Sequence, residues 1–337
     1  MKVDGSIGFS PGSVGANARR AEELGYDGCW SAETAHDPFL PLAVAAECTE
    51  RLELGTSIAV AFARNPMNLA VLAHDLQVAS KGRFLLGLGS QIKPHITKRY
   101  SMPWSRPAAR MRELVLAIRA IWATWDTGAP LAFRGEFYTH TLMTPMFDPG
   151  ANPFGPPGIL LAAVGQRMTE VAGEVADGLL VHAFTTERYL REVTVPALER
   201  GATKAGRSAA DLQISYPGFV VTGRDEGELA QAADRVRSQI AFYASTPAYR
   251  PVLELHGWGD LQSELHALTR RGDWASMGAL IDDEVLDAFA VVAPLDEVPG
   301  RIVERFGDVV NRFGFYTPYP VSDEQWRQLL AGFRPPR

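Results

Sequence analysis

The chain has 337 residues, of which 46% are hydrophobic and 21% charged, and its formal net charge is −6. That apolar content can bury one large core, and the length suits an α/β barrel that occupies 1–337 as a single domain. The acidic balance argues against a protein that grips a phosphate backbone, because such proteins carry a basic stripe, so nucleic acid is not an expected partner. Met1-Lys2-Val3-Asp4-Gly5 leads into no long apolar region, and no uncharged run of about 18 apolar residues occurs elsewhere. Neither a secretory signal nor a membrane contact is expected, and the cytoplasm is the expected address. Cys29 and Cys48 form no metal-ligand spacing, so no metal is expected. Each cysteine sits among apolar residues as a small buried thiol would.

Short apolar strands are expected at 3–9, 28–32, 52–60, 84–88, 158–163, 178–182, 213–222 and 312–316. The third strand is followed by Asn65-Pro66, where Asn can cap a helix and Pro suits its first turn. Leu69, Leu72, Ala73, Leu76 and Ala79 then recur at helical spacing, with Lys81 in the expected last turn and Gly82 as the stop. The fourth strand runs straight into Gly87-Leu88-Gly89-Ser90. From Pro107 to about Asp126 the residues Met111, Leu114, Val115, Ile118, Trp122 and Trp125 form one apolar stripe, ended by Gly128.

Two segments break this rhythm. Residues 127–157 hold Phe133-Arg134-Gly135-Glu136-Phe137-Tyr138 and then a Pro/Gly-rich run, which suits a small excursion or hairpin. Residues 244–285 hold short helical pieces such as 261–271. Eight strand-helix units imply right-handed crossovers and a parallel sheet, hence a (β/α)8 TIM barrel with insertions at its C-terminal face. The carboxyl ends of the strands form the active face of such a barrel, so 57–64 and 87–91 are expected to line one mouth. His182 ends the sixth strand and is expected at the same mouth, with simple space-filling as the alternative.

Three ordered segments carry a family resemblance: GTSIAVAFARNP at 55–66, SKGRFLLGLGSQ at 80–91 and AAVGQRMTEVAGEVADGLL at 162–180. They resemble the luciferase-like family of flavin and deazaflavin enzymes, above all its branch that uses coenzyme F420. The strand Ser215-Tyr216-Pro217-Gly218-Phe219-Val220-Val221, with AFYASTPAYRPVLELHGW at 241–258 and LIDDEVLDAFAVVAPLDEVPGRI at 280–302, resembles methylenetetrahydromethanopterin reductase.

The resemblance implies a non-prolyl cis peptide at Ser57-Ile58 against one face of the cofactor ring. It implies that Gly87, Gly89 and Ser90 let backbone approach the cofactor, with Gln91 at the loop end where some members carry a carboxylate. Gly165, Gln166, Arg167 and Met168 match the family's phosphate-binding turn, at a helix start whose free N–H groups and dipole suit an anion. Taken alone, Gly165 reads as a plain connector. Glu33 stands where related F420 enzymes commonly have an aspartate near the ring, and Thr34 replaces the histidine that often follows. His36 and Asp37 come next and can supply proton transfer, the alternative being an Asp-Pro turn. Gly8 replaces the glutamate that methylenetetrahydromethanopterin reductases carry on the first strand, which points away from the pterin substrate.

Lys93, His95, Lys98, Arg99, Arg106 and Arg110 form a local basic segment, suited either to the cofactor's phosphate and glutamyl tail or to a solvated loop. Phe62 and Trp104 are candidate pocket walls. The leading expectation is an F420-dependent oxidoreductase that moves a hydride between the deazaflavin C5 and a small organic substrate. The alternatives are an FMN-dependent monooxygenase and a flavin- or deazaflavin-binding protein without catalysis. A homodimer is expected from the resemblance.

Overall fold

The computed structural model describes residues 1–10 and 12–334; Pro11 and the last three residues of the expected 1–337 domain lie outside the described residues. In chain order the strands are β1 (Lys2–Ser6), β2 (Gly28–Ser31), β3 (Glu53–Thr56), β4 (Ala59–Val60), β5 (Phe84–Gly89), β6 (Phe133–Arg134), β7 (Thr139–His140), β8 (Gly158–Ala163), β9 (Gly178–Val181), β10 (Gln213–Val221), β11 (Ala290–Val292) and β12 (Arg312–Tyr316). Helices alternate with them, and the fold is the (β/α)8 barrel that this alternation implies. Contacts divide the chain into two compact units, one of 5–180 with 197–213 and one of 1–4, 181–196 and 214–337.

In the first unit β2, β3, β5, β8 and β9 lie side by side. β5 and β8 read FLLGLG and GILLAA, near-continuous apolar runs as expected for strands covered on both faces. The expected third strand, 52–60, is interrupted. Gly55 pairs with Leu85 and Ala59 with Leu88, so four residue steps on one strand are matched by three on its neighbour. The surplus residue makes a bulge between β3 and β4, and the Ser57-Ile58 peptide within it is cis. The helix Pro66–Ala79 is capped by Asn65, whose side chain accepts from the Asn68 N–H, as expected. Its end differs: Ser80 is the cap, while Lys81 lies beyond the helix in the left-handed region (φ 54°), followed by Gly82 (φ 87°). Lys81 and Gly82 together form the turn into β5.

The helix Pro107–Thr127 buries Met111, Leu114, Val115, Ile118, Trp122 and Trp125 and ends at Gly128 (φ 70°). The Trp122 indole N–H donates to the Ala70 carbonyl at 3.1 Å, tying this helix to Pro66–Ala79. Arg83 works as a further clamp. Its guanidinium donates to the carbonyls of Ala46, Thr49, Leu52 and Ser80 and to the Thr49 hydroxyl, satisfying the open C-terminal carbonyls of the helix Leu40–Cys48. The 127–157 segment contains the antiparallel hairpin of β6 and β7. Cys29 is buried and Cys48 only partly so, against the expectation of two buried thiols.

In the second unit β10 pairs with β11 and β12, and β12 pairs with β1, all parallel. β11 was not expected; three residues directly after the helix Asp283–Phe289 are too short to show a period. The expected first strand, 3–9, runs only from Lys2 to Ser6. Residues 244–285 form the helices Arg250–Leu255, Gly259–Arg271, Trp274–Met277 and the start of Asp283–Phe289. They close over a core of Phe184, Phe219, Val236, Ile240, Leu253, Leu265 and Phe289. Among the described residues no helix is long and apolar enough to cross a membrane.

Candidate functional site

The bulge is held from both sides by the end of β2. The Ser57 N–H donates to the Ser31 carbonyl at 2.7 Å, and the Glu33 N–H to the Ile58 carbonyl at 3.1 Å. The Glu33 side chain, 9% exposed, then closes the frame. Its Oε2 accepts from the Val60 N–H at 2.7 Å and from Arg64 Nη1 at 2.6 Å, and its Oε1 accepts from the Tyr100 hydroxyl at 2.8 Å. Three donors from two segments, Val60 and Arg64 from one and Tyr100 from the other, thus meet one carboxylate, two of them neutral and one charged. Burial and the Glu33 carboxylate both push the Tyr100 phenol above its ordinary range, so Tyr100 remains the donor.

Arg64 extends the frame outward. Its Nη2 donates to Asp37 Oδ2 at 3.0 Å, and its guanidinium lies 5.3 Å from the centre of the Phe39 ring. Asp37 Oδ1 accepts from the N–H groups of Phe39 and Leu40 at 2.8 and 3.2 Å, the geometry of the Asp-Pro turn that opens the next helix. His36 stands apart: it is exposed, with its ring 5.2 Å from that of Phe9. The structure therefore joins Glu33 and Asp37 through Arg64 and leaves His36 outside. The bonding of Glu33 and Asp37 is that of groups that position backbone.

The glycines of β5 have a packing reason. A Cβ on Gly87 would lie 1.7 Å from the Thr56 carbonyl oxygen, and one on Gly89 would lie 2.8 Å from Ile58 Cδ1. Thr56 Oγ1 also donates to the Gly87 carbonyl and accepts from the Gly87 N–H. What approaches these glycines closely is the Thr56 backbone at Gly87 and the Ile58 side chain of the bulge at Gly89. Ser90 Oγ donates to the Gln91 carbonyl at 3.1 Å, and Gln91 has a positive φ of 56°.

Gly165 differs from both. It is the N-cap of the helix Gln166–Val175, makes no side-chain cap, and a Cβ there would meet nothing within 4 Å. Residues 164–167 are exposed and Met168 is half-buried. The Gln166 side chain accepts from Arg200, which also pairs with Glu170, so the turn is braced while no side chain caps its first N–H groups. Such a terminus can hold an anion.

Two members of the basic segment are consumed by structure. Arg110 is buried, donates to the Tyr138 hydroxyl and the Pro103 carbonyl, and lies over Phe62 at 4.7 Å. Arg106 pairs with Glu136. Phe62 is a core residue at 1% exposure, with Trp104 edge-on to it at 5.7 Å. Arg64 and Tyr100 were not singled out from sequence as partners of Glu33. They lie 31 and 67 residues from it, and no local spacing links such positions.

In the second unit, His182 Nδ1 accepts from the Phe184 N–H at 3.0 Å, and Nε2 lies 3.0 Å from the Tyr249 hydroxyl. With Nδ1 an acceptor, the neutral ring carries its proton on Nε2 and donates to Tyr249. Burial lowers the His182 pKa to about 4 and raises that of Tyr249 to about 12. The Tyr249 ring stacks on the imidazole at 4.7 Å and Tyr243 meets it edge-on at 5.0 Å. This is a neutral imidazole packed among aromatics.

Residues 3–312 match the family described as luciferase-like monooxygenase. The chain belongs to that family. It is 57% identical over 312 residues to a protein of Mycobacterium tuberculosis described only as uncharacterised, covering 93% of this chain and 92% of that one. It is 29% identical over 318 residues to the 5,10-methylenetetrahydromethanopterin reductase of Methanolobus tindarius, covering 93% of each. Among solved structures it resembles the coenzyme F420-dependent tetrahydromethanopterin reductase of Methanopyrus kandleri, with a TM-score of 0.79 and 22% identity over 99% of this chain and 97% of that one. That likeness shows the barrel fold, and the family membership makes the chain one of an oxidoreductase and monooxygenase family.

Proposed function

We propose that this chain is an F420-dependent oxidoreductase that moves a hydride between the deazaflavin C5 and a small organic substrate. The observation that carries this reading is the end-to-end likeness to methylenetetrahydromethanopterin reductase, 29% identical over 93% of both chains. The residues present fit such a cofactor. The Gly165 turn offers open space and uncapped N–H groups for its phosphate, with Gln166, Arg167 and Met168 on the same turn. The Ser57-Ile58 bulge is fixed by Glu33, Arg64 and Tyr100, as a rigid wall for a flat ring needs to be. When bound, the deazaflavin supplies the hydride chemistry, and the protein supplies position and electrostatics.

The chain's own residues divide that task. Glu33 holds the Val60 N–H, and through it the bulge, while Arg64 neutralises the buried carboxylate. Gly8, exposed and with nothing within 4 Å of where its Cβ would lie, puts no carboxylate where the methanopterin enzymes are expected to have one, which points away from a pterin substrate. The reading includes a homodimer. The neighbouring helices Leu40–Cys48 and Pro66–Ala79 leave Leu40, Val44, Val71, Leu72 and Val78 exposed, an apolar surface that a second copy would cover. Sedimentation at micromolar concentration checks it.

The description of the family as monooxygenases supports a second reading, with FMN in the same place. Fluorescence titration separates the two. The F420 reading expects quenching of F420 at micromolar protein and oxidation of reduced F420 by at least one carbonyl or enone in a substrate panel. Tight FMN binding with no response to F420 would overturn it.

A further inference from the structure

Between Asp75 and Glu113 the sequence contains no carboxylate, although the chain has 39 Asp and Glu residues; the same interval holds eight Lys and Arg residues and His95. The structure disposes of four of these cations. Arg83 is absorbed by backbone carbonyls, Arg106 by Glu136, Arg110 by Tyr138 and the Pro103 carbonyl, and Arg112 by Glu174. Among the described residues four charges remain without a carboxylate, on Lys81, Lys93, Lys98 and Arg99, the last of which donates to the Thr34 carbonyl. The last three share the turn around His95–Arg99 with His95 itself.

The turn is also rigid and strained. His95–Arg99 is a π-helical turn, a form frequent at functional sites, as is Leu190–Thr194 elsewhere in the chain. Gln91 and Ser101 flank it with φ of 56° and 55°, and non-glycine residues seldom adopt that region unless surroundings impose it. Ile96 is fully buried beneath the turn. Arg99 donates to the Thr34 carbonyl and the adjacent Tyr100 to Glu33, so the turn is bonded to the same β2 end that holds the cis bulge. The side chains of Lys93, His95 and Lys98 are exposed. Like charges on one short turn are unfavourable to one another, and an anion would relieve that.

We propose that the turn of Lys93, Lys98 and Arg99 is a binding site for the carboxylate or phosphate group of a small-molecule ligand. Two ammonium groups and a guanidinium offer charge-assisted donors that suit an oxyanion, and Arg99 and Tyr100 tie their turn to the β2 end that also holds the bulge. The anion comes either from the cofactor's tail or from the substrate. The site stands apart from the redox reading, since it requires an anionic ligand and no particular ring.

The test uses the full chain and the double variant K93A/K98A. Both lysines are exposed and unpaired, so thermal stability should be unchanged, which is measured first. Three probes follow: F420 with its glutamyl tail, the deazaflavin chromophore lacking phosphate and tail, and pyrophosphate or citrate by calorimetry. The expected result is a loss of about tenfold or more for an anionic probe, with a flatter salt dependence, and no change for the uncharged chromophore. Loss confined to F420 assigns the anion to the cofactor's tail, and loss confined to the small anions assigns it to the substrate. Equal binding of every anionic probe by variant and wild type overturns the proposal. Failure of wild-type protein to bind F420 would sink the functional reading and leave the small-anion arm to decide this one.

Discussion

Tyr100 donates its phenolic hydrogen to Glu33 Oε1 at 2.8 Å, across 67 residues of sequence. That bond completes a carboxylate whose other oxygen already holds Arg64 and the Val60 N–H. Glu33→Ala would strand all three donors, and each buried donor left unmade costs about 1–3 kcal/mol. Glu33→Gln keeps an acceptor but loses the charge that Arg64 pairs with, and Tyr100→Phe removes one neutral bond. The expected order of lost stability in urea unfolding is E33A, then E33Q, then Y100F. An E33A protein as stable as wild type would show that the frame around the bulge is idle.

The glycines at 87 and 165 should respond in opposite ways. A Cβ at 87 would lie 1.7 Å from the Thr56 carbonyl oxygen, a distance that only backbone movement can relieve. Gly87→Ala is therefore expected to cost more than about 3 kcal/mol or to prevent folding. At 165 a methyl meets nothing within 4 Å and φ is −92°, which any residue adopts. Gly165→Ala should leave thermal stability within about 0.5 kcal/mol of wild type while weakening F420 binding, because the methyl enters the space assigned to the phosphate. Unchanged F420 affinity in G165A would move the phosphate elsewhere.

Asp4 and Arg312 form a bidentate pair at 2.7 and 2.6 Å with both side chains only 1% exposed, on the adjacent strands β1 and β12. Removing one partner leaves a buried charge, which costs about 3–5 kcal/mol, whereas replacing both with apolar groups is often nearly neutral. Asp4→Asn should thus lower stability sharply, and Asp4→Leu with Arg312→Met should recover most of the loss. Additive destabilisation in the double variant would contradict this account.

What was legible in the sequence follows from the range of the interactions. The Asn65 cap, the Pro107–Thr127 stripe and the 133–140 hairpin are set by neighbours a few residues apart, and each is present as expected. The interruption of 52–60 was legible only through the family resemblance, since periodicity reads Leu52 to Val60 as one strand. The roles of Arg83, Arg64 and Tyr100 were not legible at all: each bonds to groups about 30 or more residues away, where pattern carries no information. Gly87 and Gly89 were legible only as the loop that the resemblance sets against a cofactor; that Thr56 and Ile58 of the same chain pack against them was not.

His182 makes stability depend on pH in a direction that can be worked out. Burial lowers its pKa to about 4 in the folded chain, against an ordinary value of 6.5. Between those limits the unfolded chain binds a proton that the folded chain does not, so stability rises with pH through this window. The contribution is complete above about pH 6.5 and is lost as the pH falls toward 4, amounting to about 3 kcal/mol. Protonation would also oppose the bond in which Nδ1 accepts from the Phe184 N–H, while the nearby Tyr249 stays neutral throughout this range because burial raises its pKa to about 12. His140 and His256 are shifted in the same direction by burial, so part of the slope belongs to them. His182→Gln should leave that part and remove the rest, seen as a smaller difference between unfolding free energies at pH 7.5 and pH 4.5. A variant with the wild-type slope would mean that His182 takes up its proton without disturbing the aromatic cluster around it.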